Sequence, residues 1–187
     1  MKTLWASLRM LLVMTVFCGL IYPLAFTGAM QSLFPYEANG SIIEKEGKII
    51  GSELIGQEFK GPGYFMGRPS ANEYAADNSA GTNWGAINKD LKAQVQERAA
   101  ALREQYGLKE SEPVPSVLVT NSTCGFDPHL TPESLHFQAK RVAAERGLPL
   151  VKVKELIDQH TEEPAWGFIG EARVNVLKLN LALDALK

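Results

Sequence analysis

The sequence predicts an α+β protein in which one N-terminal transmembrane helix precedes a single mixed α+β soluble domain. Three observations predict it. No charged residue occurs between Arg9 and Glu37, and Met10–Phe34 is dominated by Leu, Val, Ile, Met, Phe and Ala. Two β-branched runs flank Gly47, as in a hairpin. Two later stretches repeat apolar residues at helical spacing between a capping residue and a terminal glycine.

The apolar run defines a membrane anchor over residues 1–36, with its helix at about residues 10–34, and a soluble domain over residues 37–187. Roughly 25 residues at 1.5 Å each make a helix of about 37 Å, enough to span a hydrocarbon core of about 30 Å with some tilt. Lys2 and Arg9 precede the run, whereas the far flank opens with Glu37 and has its first basic residues at Lys45 and Lys48. Basic residues stay in the cytoplasm, so the N-terminus is expected inside and the domain outside. A removable signal peptide ending at Thr27-Gly28-Ala29 is the alternative. Against it, apolar character continues past Pro23 through Leu24, Phe26, Met30, Leu33 and Phe34. Phe17 before Cys18 is too bulky for a lipobox. Pro23 frees a backbone carbonyl that a neighbouring helix can satisfy within a membrane, which hints at a partner there.

The remainder, about 150 residues, has the size of one domain with its own core. A formal net charge of −2 and a pI near 6.0 leave no basic surplus for a phosphate backbone, so no nucleic-acid partner is expected. Cys18 lies in the apolar run and Cys124 far out in the domain, so no disulfide is expected.

Ser41–Glu46 and Lys48–Ile55 read as the paired strands of the hairpin. Lys60–Asn88 is rich in Gly, Asn, Ser and Ala and lacks periodicity, but Tyr64, Phe65, Tyr74 and Trp84 argue against disorder. Asn88 caps a predicted helix from Lys89 to about Tyr106, with Leu91, Val95, Ala99 and Leu102 on its apolar stripe and Gly107 ending it. Val117–Thr120 is a candidate buried strand. Thr131-Pro132 opens a second helix closed by Arg146-Gly147, with Leu135, Ala139, Val142 and Ala143 on its buried side. A third helix is expected from Val151 to about His160. Val174–Leu177 reads as a strand, and Asn180 as the cap of a last helix through Leu186.

Several patterns invite a chemical reading. Gly51-Ser-Glu-Leu-Ile-Gly56 has the glycine spacing of a phosphate loop, but Gln57-Glu58 stand where Lys and Ser/Thr are required. A carboxylate there repels phosphate, and the bland reading is a strand and a turn. Gly61-Pro-Gly63 with Gly67 misses the dinucleotide spacing by one residue and lacks a βαβ unit. Cys124, Asp127 and His129 could form a Cys/His hydrolase site, although a tight turn before Thr131 needs the same small residues. His129, His136 and His160 lack metal-ligand spacing. Arg68, between aromatics and Pro69, reads either as an interface anchor or as a staple of its own loop.

Five separated strings carry a resemblance: Gly51 through Gln57; Tyr64-Phe65 with Arg68-Pro-Ser-Ala71; Ser122 through His129; Gln138 with Arg141-Val-Ala143; and Arg173 through Leu177 with Leu179 through Asp184. In this order they resemble the KdpC family of the bacterial Kdp potassium-transporting ATPase, from the anchor to the C-terminus. Cys124, where the family more often has Ser or Gly, and Phe126, where Leu is usual, are departures within one turn. The resemblance implies a non-enzymatic accessory subunit needed for assembly and stability of a high-affinity potassium importer in the bacterial inner membrane. Its implied partners are a potassium-translocating subunit, a P-type ATPase subunit and a small helical subunit. The family is described as raising the ATP affinity of the ATPase subunit as a catalytic chaperone, which makes it nominally ATP- and nucleotide-binding; ATP is then expected through the ATPase subunit.

The candidate partner-docking or family-motif positions are Gly56, Gln57, Tyr64, Phe65, Arg68, Pro69, Ser70, Asn83, Asp127, Pro128, Gln138, Arg141, Asn175 and Asn180; the loop Lys60–Asn88 with the Arg68 region is the expected main docking surface, on its aromatic and glycine content. With Lys2 and Arg9 inside, the domain faces away from cytoplasmic ATP. Any effect on ATP affinity is then long-range coupling. The rival reading is a membrane-anchored extracytoplasmic hydrolase using Cys124 and His129.

Overall fold

A computed structural model of the chain describes residues 1–186, which fall into two compact units, Met1–Ile50 and the chain from Gly51 onward.

The first unit is dominated by one apolar helix, Lys2–Leu33, with every residue from Met1 to Ala29 exposed. It consists of α1 (Lys2–Val16), a π turn (Phe17–Ile21) and α2 (Tyr22–Leu33). The π turn has a local cause. In an unbroken α-helix the Pro23 ring would press on the carbonyl of Gly19, and Pro23 has no N–H to give. The wider turn, in which the Tyr22 N–H donates to the Phe17 carbonyl, relieves that clash. The helix starts at Lys2 rather than near residue 10, because Lys2 and Arg9 bound the apolar span but do not disfavour helix. Its full length is about 48 Å.

A single turn, α3 (Pro35–Ala38), follows, and then a hairpin of β1 (Ile42–Lys45) and β2 (Lys48–Ser52). Glu46 and Gly47 both have positive φ, +53° and +73°, as a two-residue turn matching the strand twist requires.

In the second unit α4 (Lys89–Tyr106) begins where Asn88 Oδ1 accepts from the N–H groups of Asp90 and Leu91. It ends at left-handed Gly107, where the Leu108 N–H reaches back to the Arg103 carbonyl. The expected strand over Val117–Thr120 is instead a 3-10 turn, Ser116–Leu118. The Thr120 hydroxyl and N–H both donate to the Ser116 carbonyl, closing the chain on itself. Leu118 and Val119 are buried all the same, and so short an apolar run fits either structure.

The remaining elements are β3 (His129–Leu130), α5 (Pro132–Arg146), α6 (Leu150–Gln159), β4 (Thr161–Glu162), β5 (Arg173–Asn175) and α7 (Val176–Ala185). α5 opens on the Thr131 cap and Pro132 and closes on left-handed Gly147. The three strands form an antiparallel sheet in the order β3-β5-β4, with Leu130 and Thr161 both opposite Val174. β3 and β4 are two residues long and leave no alternation to read in the sequence.

The expected strand Val174–Leu177 stops at Asn175, and Asn175 rather than Asn180 caps the last helix, its Oδ1 accepting from the Lys178 N–H. The cap ends the strand because it fixes Asn175 as the first residue outside the helix. The core sits where α5, α6 and α7 meet the sheet and contains Leu130, Leu135, Val142, Val153, Ile157, Val174, Leu179 and Leu183, all buried.

Candidate functional site

The segment from Lys60 to Asn88 has no helix or strand of its own among the described residues. Its inner part is nonetheless fixed, because side chains from the helices take the places that a neighbouring strand would fill. Asn180 on α7 accepts the Phe65 N–H at 3.0 Å and donates to the Phe65 carbonyl at 3.0 Å. Gln138 on α5 accepts the Met66 N–H at 2.9 Å and donates to the Met66 carbonyl at 3.0 Å. Both amide side chains are buried, and Phe65 drives its ring fully into the core. An amide side chain carries one acceptor and a donor group, so each can complete both backbone groups of one residue.

Arginines extend the clamp. Arg141 donates to the Pro62 and Tyr64 carbonyls, to Gln138 Oε1 and to the Tyr106 hydroxyl. Arg146 donates through Nε to the Gly63 carbonyl at 2.7 Å, pairs through Nη1 with Asp184 at 2.7 Å, and lies 4.5 Å over the Tyr64 ring. The Tyr64 hydroxyl donates to the other Asp184 oxygen at 3.4 Å. Five consecutive carbonyls, Pro62 to Met66, thus each accept from a side chain of α5 or α7. Burial pushes the Tyr106 phenol above its ordinary pKa, and the Arg141 hydrogen bond partly offsets that.

A second node joins the same segment to the turn before β3. Arg68 pairs with Asp127 at 3.0 Å and donates to the Asn121 carbonyl at 3.1 Å, while the other Asp127 oxygen accepts the His129 N–H. The Ser122 N–H donates to the Pro69 carbonyl, and Ser70 Oγ accepts the N–H groups of Asn72 and Tyr74. Gly56 donates its N–H to the Phe126 carbonyl at 2.7 Å, and a Cβ at Gly56 would meet the Asp127 carbonyl oxygen at 2.5 Å. Gln57 packs its amide beside Gly51, where an added Cβ would run into Nε2. The Pro128 carbonyl accepts the Val176 N–H, and Asn175 Nδ2 donates to the Glu53 carbonyl at 2.8 Å. Asn83 stands apart, exposed at positive φ, with its amide on the Gly81 carbonyl.

Of the residues singled out in the sequence, Tyr64, Phe65, Gln138, Arg141 and Asn180 therefore converge on one clamp, and Gly56, Arg68, Pro69, Asp127 and Pro128 meet at the second node. Asn175 ties the start of α7 to Glu53. Arg146, Asp184, Tyr106 and Asn121 belong to the same network. The position of Arg146 at a helix end explains it as a dipole partner and conceals its longer reach.

Among the described residues no hydrogen bond joins Cys124 to His129, and the Cys124 carbonyl accepts from Ser79 Oγ. Desolvation, reinforced by Arg173, lowers the His129 pKa. No cluster of three His, Cys, Asp or Glu side chains suited to a metal occurs among the described residues. An open groove of about 650 Å³ runs beside the second node, lined by Glu58, Met66, Tyr74, Arg98 and Leu118 among others.

One N-terminal apolar helix long enough to cross a membrane, followed by an α+β domain whose polar centre holds its own backbone, fits the class of single-pass membrane proteins. The family model described as the c chain of the K+-transporting ATPase, KdpC, matches residues 4–185. A potassium-transporting ATPase KdpC subunit from Polaromonas naphthalenivorans is 52% identical over 97% of this chain and 93% of its own length. Those from Methylococcus capsulatus and Caldanaerobacter subterraneus are 51% and 47% identical, over 97% and 95% of this chain and 96% and 92% of their own lengths. The chain belongs to the KdpC family, and with it to the accessory subunits of the potassium-transporting ATPase.

Proposed function

We propose that this subunit serves assembly and stability of a high-affinity ATP-driven potassium importer, sitting in the bacterial inner membrane with its N-terminus cytoplasmic and the domain of residues 37–187 outside. The observation that carries the reading is the helix Lys2–Leu33: it is apolar, unburied in the chain alone, and carries Pro23 in its middle, whose missing N–H leaves one backbone carbonyl short of a donor that lipid does not supply. A partner helix supplies both the packing and the donor. Lys2 and Arg9 set the orientation.

The partners are the potassium-translocating subunit, the P-type ATPase subunit and a small helical subunit. A rise in ATP affinity travels through the assembly, since Gln57 and Glu58 stand where a phosphate loop needs Lys and a hydroxyl, and the arginines nearest the glycine-rich segment are held by its own carbonyls. Because Arg68 is tied to Asp127 and Asn121, it serves the domain as a staple, and docking falls to groups left exposed.

Protease added to intact spheroplasts tests the orientation. Digestion of the domain with survival of an N-terminal tag is expected; a domain cut only in inverted vesicles overturns the topology and reopens direct contact with ATP. Loss of the other subunits from detergent extracts when this chain is deleted is the expected assembly result.

A further inference from the structure

Between β4 and β5 the chain runs out to a tight turn, Ala165–Ile169, that presents large apolar side chains to solvent. Trp166 is 86% exposed, Phe168 76% and Ile169 50%. A domain that buries its Leu, Val and Phe elsewhere gains nothing from a projecting Trp and Phe, and such an exposed cluster marks a contact surface.

The turn is built to hold them there. The Ala165 N–H donates to the Ile169 carbonyl at 2.9 Å and the Ile169 N–H to the Ala165 carbonyl at 3.0 Å, while the Gly167 N–H donates to the Pro164 carbonyl. Trp166 has φ +54° and Gly167 φ +81°. A left-handed conformation is costly for a bulky residue such as Trp, and here it coincides with an indole that stands in solvent. The aromatic pair is thus ordered before any contact, which lowers the entropic cost of docking.

The charges around the tip select the partner. Glu162 is neutralised by Arg173 at 3.0 Å. Glu163 and Glu171, immediately flanking the tip, are exposed and carry no ion pair among the described residues. Two free carboxylates beside an aromatic tip are repelled by an anionic bilayer surface and attracted by a socket with a basic rim.

We propose that Trp166 and Phe168 form a docking finger that inserts into an apolar socket, rimmed by Lys or Arg, on another subunit of the same ATPase. This rests on the assembly role proposed above.

The test uses the full tagged chain co-expressed with its complex and extracted in detergent. Retention of the other subunits by the wild-type chain reports on the assembly role itself; the ratio of variant to wild type reports on the finger. Trp166→Ser with Phe168→Ser is expected to lower retention about tenfold or more, as truncation of aromatic anchors does. Glu163→Lys with Glu171→Lys leaves the apolar tip intact and is expected to lower retention by an amount that shrinks as salt is raised. A photo-crosslinking side chain at position 166 is expected to join a subunit of the complex next to basic residues, whereas one at Glu110 does not.

Retention at the wild-type level by both variants overturns the finger while leaving the assembly role standing. Crosslinks from position 166 into lipid also overturn it, assigning the tip to the membrane. A wild-type chain that retains no other subunit overturns both.

Discussion

Gln138 and Asn180 hold adjacent residues of one extended segment, each completing both backbone groups of its target: Met66 for Gln138, Phe65 for Asn180. The two amides replace a pair of neighbouring strands. Asn180→Leu keeps the volume but leaves the buried Phe65 N–H and C=O without partners. Each unsatisfied group costs about 1–3 kcal/mol, so a loss of roughly 2–6 kcal/mol is expected. Urea unfolding of the full chain in detergent measures it, and Gln138→Leu should behave alike. Near-neutral values would show that water takes over both groups.

These contacts mark the limit of what the sequence displays. The helix ends are legible because Asn88, Thr131-Pro132, Gly107 and Gly147 act on residues within one turn of themselves. The apolar anchor is legible because its signal is compositional. Asn180 reads as a cap because its position before a predicted helix explains it, while its true partner, Phe65, lies 115 positions earlier. Val117–Thr120 reads as a strand because four apolar and β-branched residues fit a strand and a buried 3-10 turn equally. The clamp residues carry a family pattern, but no local spacing indicates that an Arg on α5 reaches the carbonyls of Pro62 and Tyr64.

Arg146 combines a hydrogen bond to Gly63, an ion pair with Asp184 and a face-on contact with Tyr64. Arg146→Lys retains charge but not the planar fork, so the Gly63 bond and the ring contact cannot both persist. The expected loss is about 1–2 kcal/mol by unfolding. An unchanged midpoint would mean that the Asp184 pair alone carries the contribution.

Gly56 separates two backbone stretches that touch, and Ala there brings its Cβ to 2.5 Å from the Asp127 carbonyl oxygen. Backbone on both sides leaves no flexible group to yield, so Gly56→Ala should destabilise by about 1–3 kcal/mol. Gly85, with nothing within 4 Å of the added Cβ and no positive φ, is the control. Gly85→Ala should leave the unfolding midpoint where it is or raise it slightly, by reducing the freedom of the unfolded chain.

His129 gives the domain a pH dependence with a definite sign. Desolvation first, then Arg173, lowers its pKa below the ordinary value near 6.5, against the opposing pull of Asp127 and Glu162. The unfolded chain then binds the proton more readily than the folded one. Its contribution is fully present above about pH 6.5, declines as pH falls from there through the folded pKa, and levels off below it. His129→Gln should flatten that part of the stability profile. A slope unaltered by the change would assign the titration to another group.

Arg68 and Asp127 decide between a staple and an anchor. Their side chains are 25% and 28% exposed, at 3.0 Å, so the pair is partly shielded and a coupling of roughly 1 kcal/mol is expected from a double-mutant cycle with Arg68→Met and Asp127→Asn. Arg68→Met and Arg68→Glu both leave the Asn121 carbonyl without its donor, but Arg68→Glu also adds repulsion beside Asp127, so its unfolding midpoint should fall further than that of Arg68→Met. Retention of the complex should track that loss of stability across the three variants. Loss of partners by Arg68→Met at an unchanged midpoint would instead make Arg68 a docking residue, because a staple has no route to the interface except through the fold it holds.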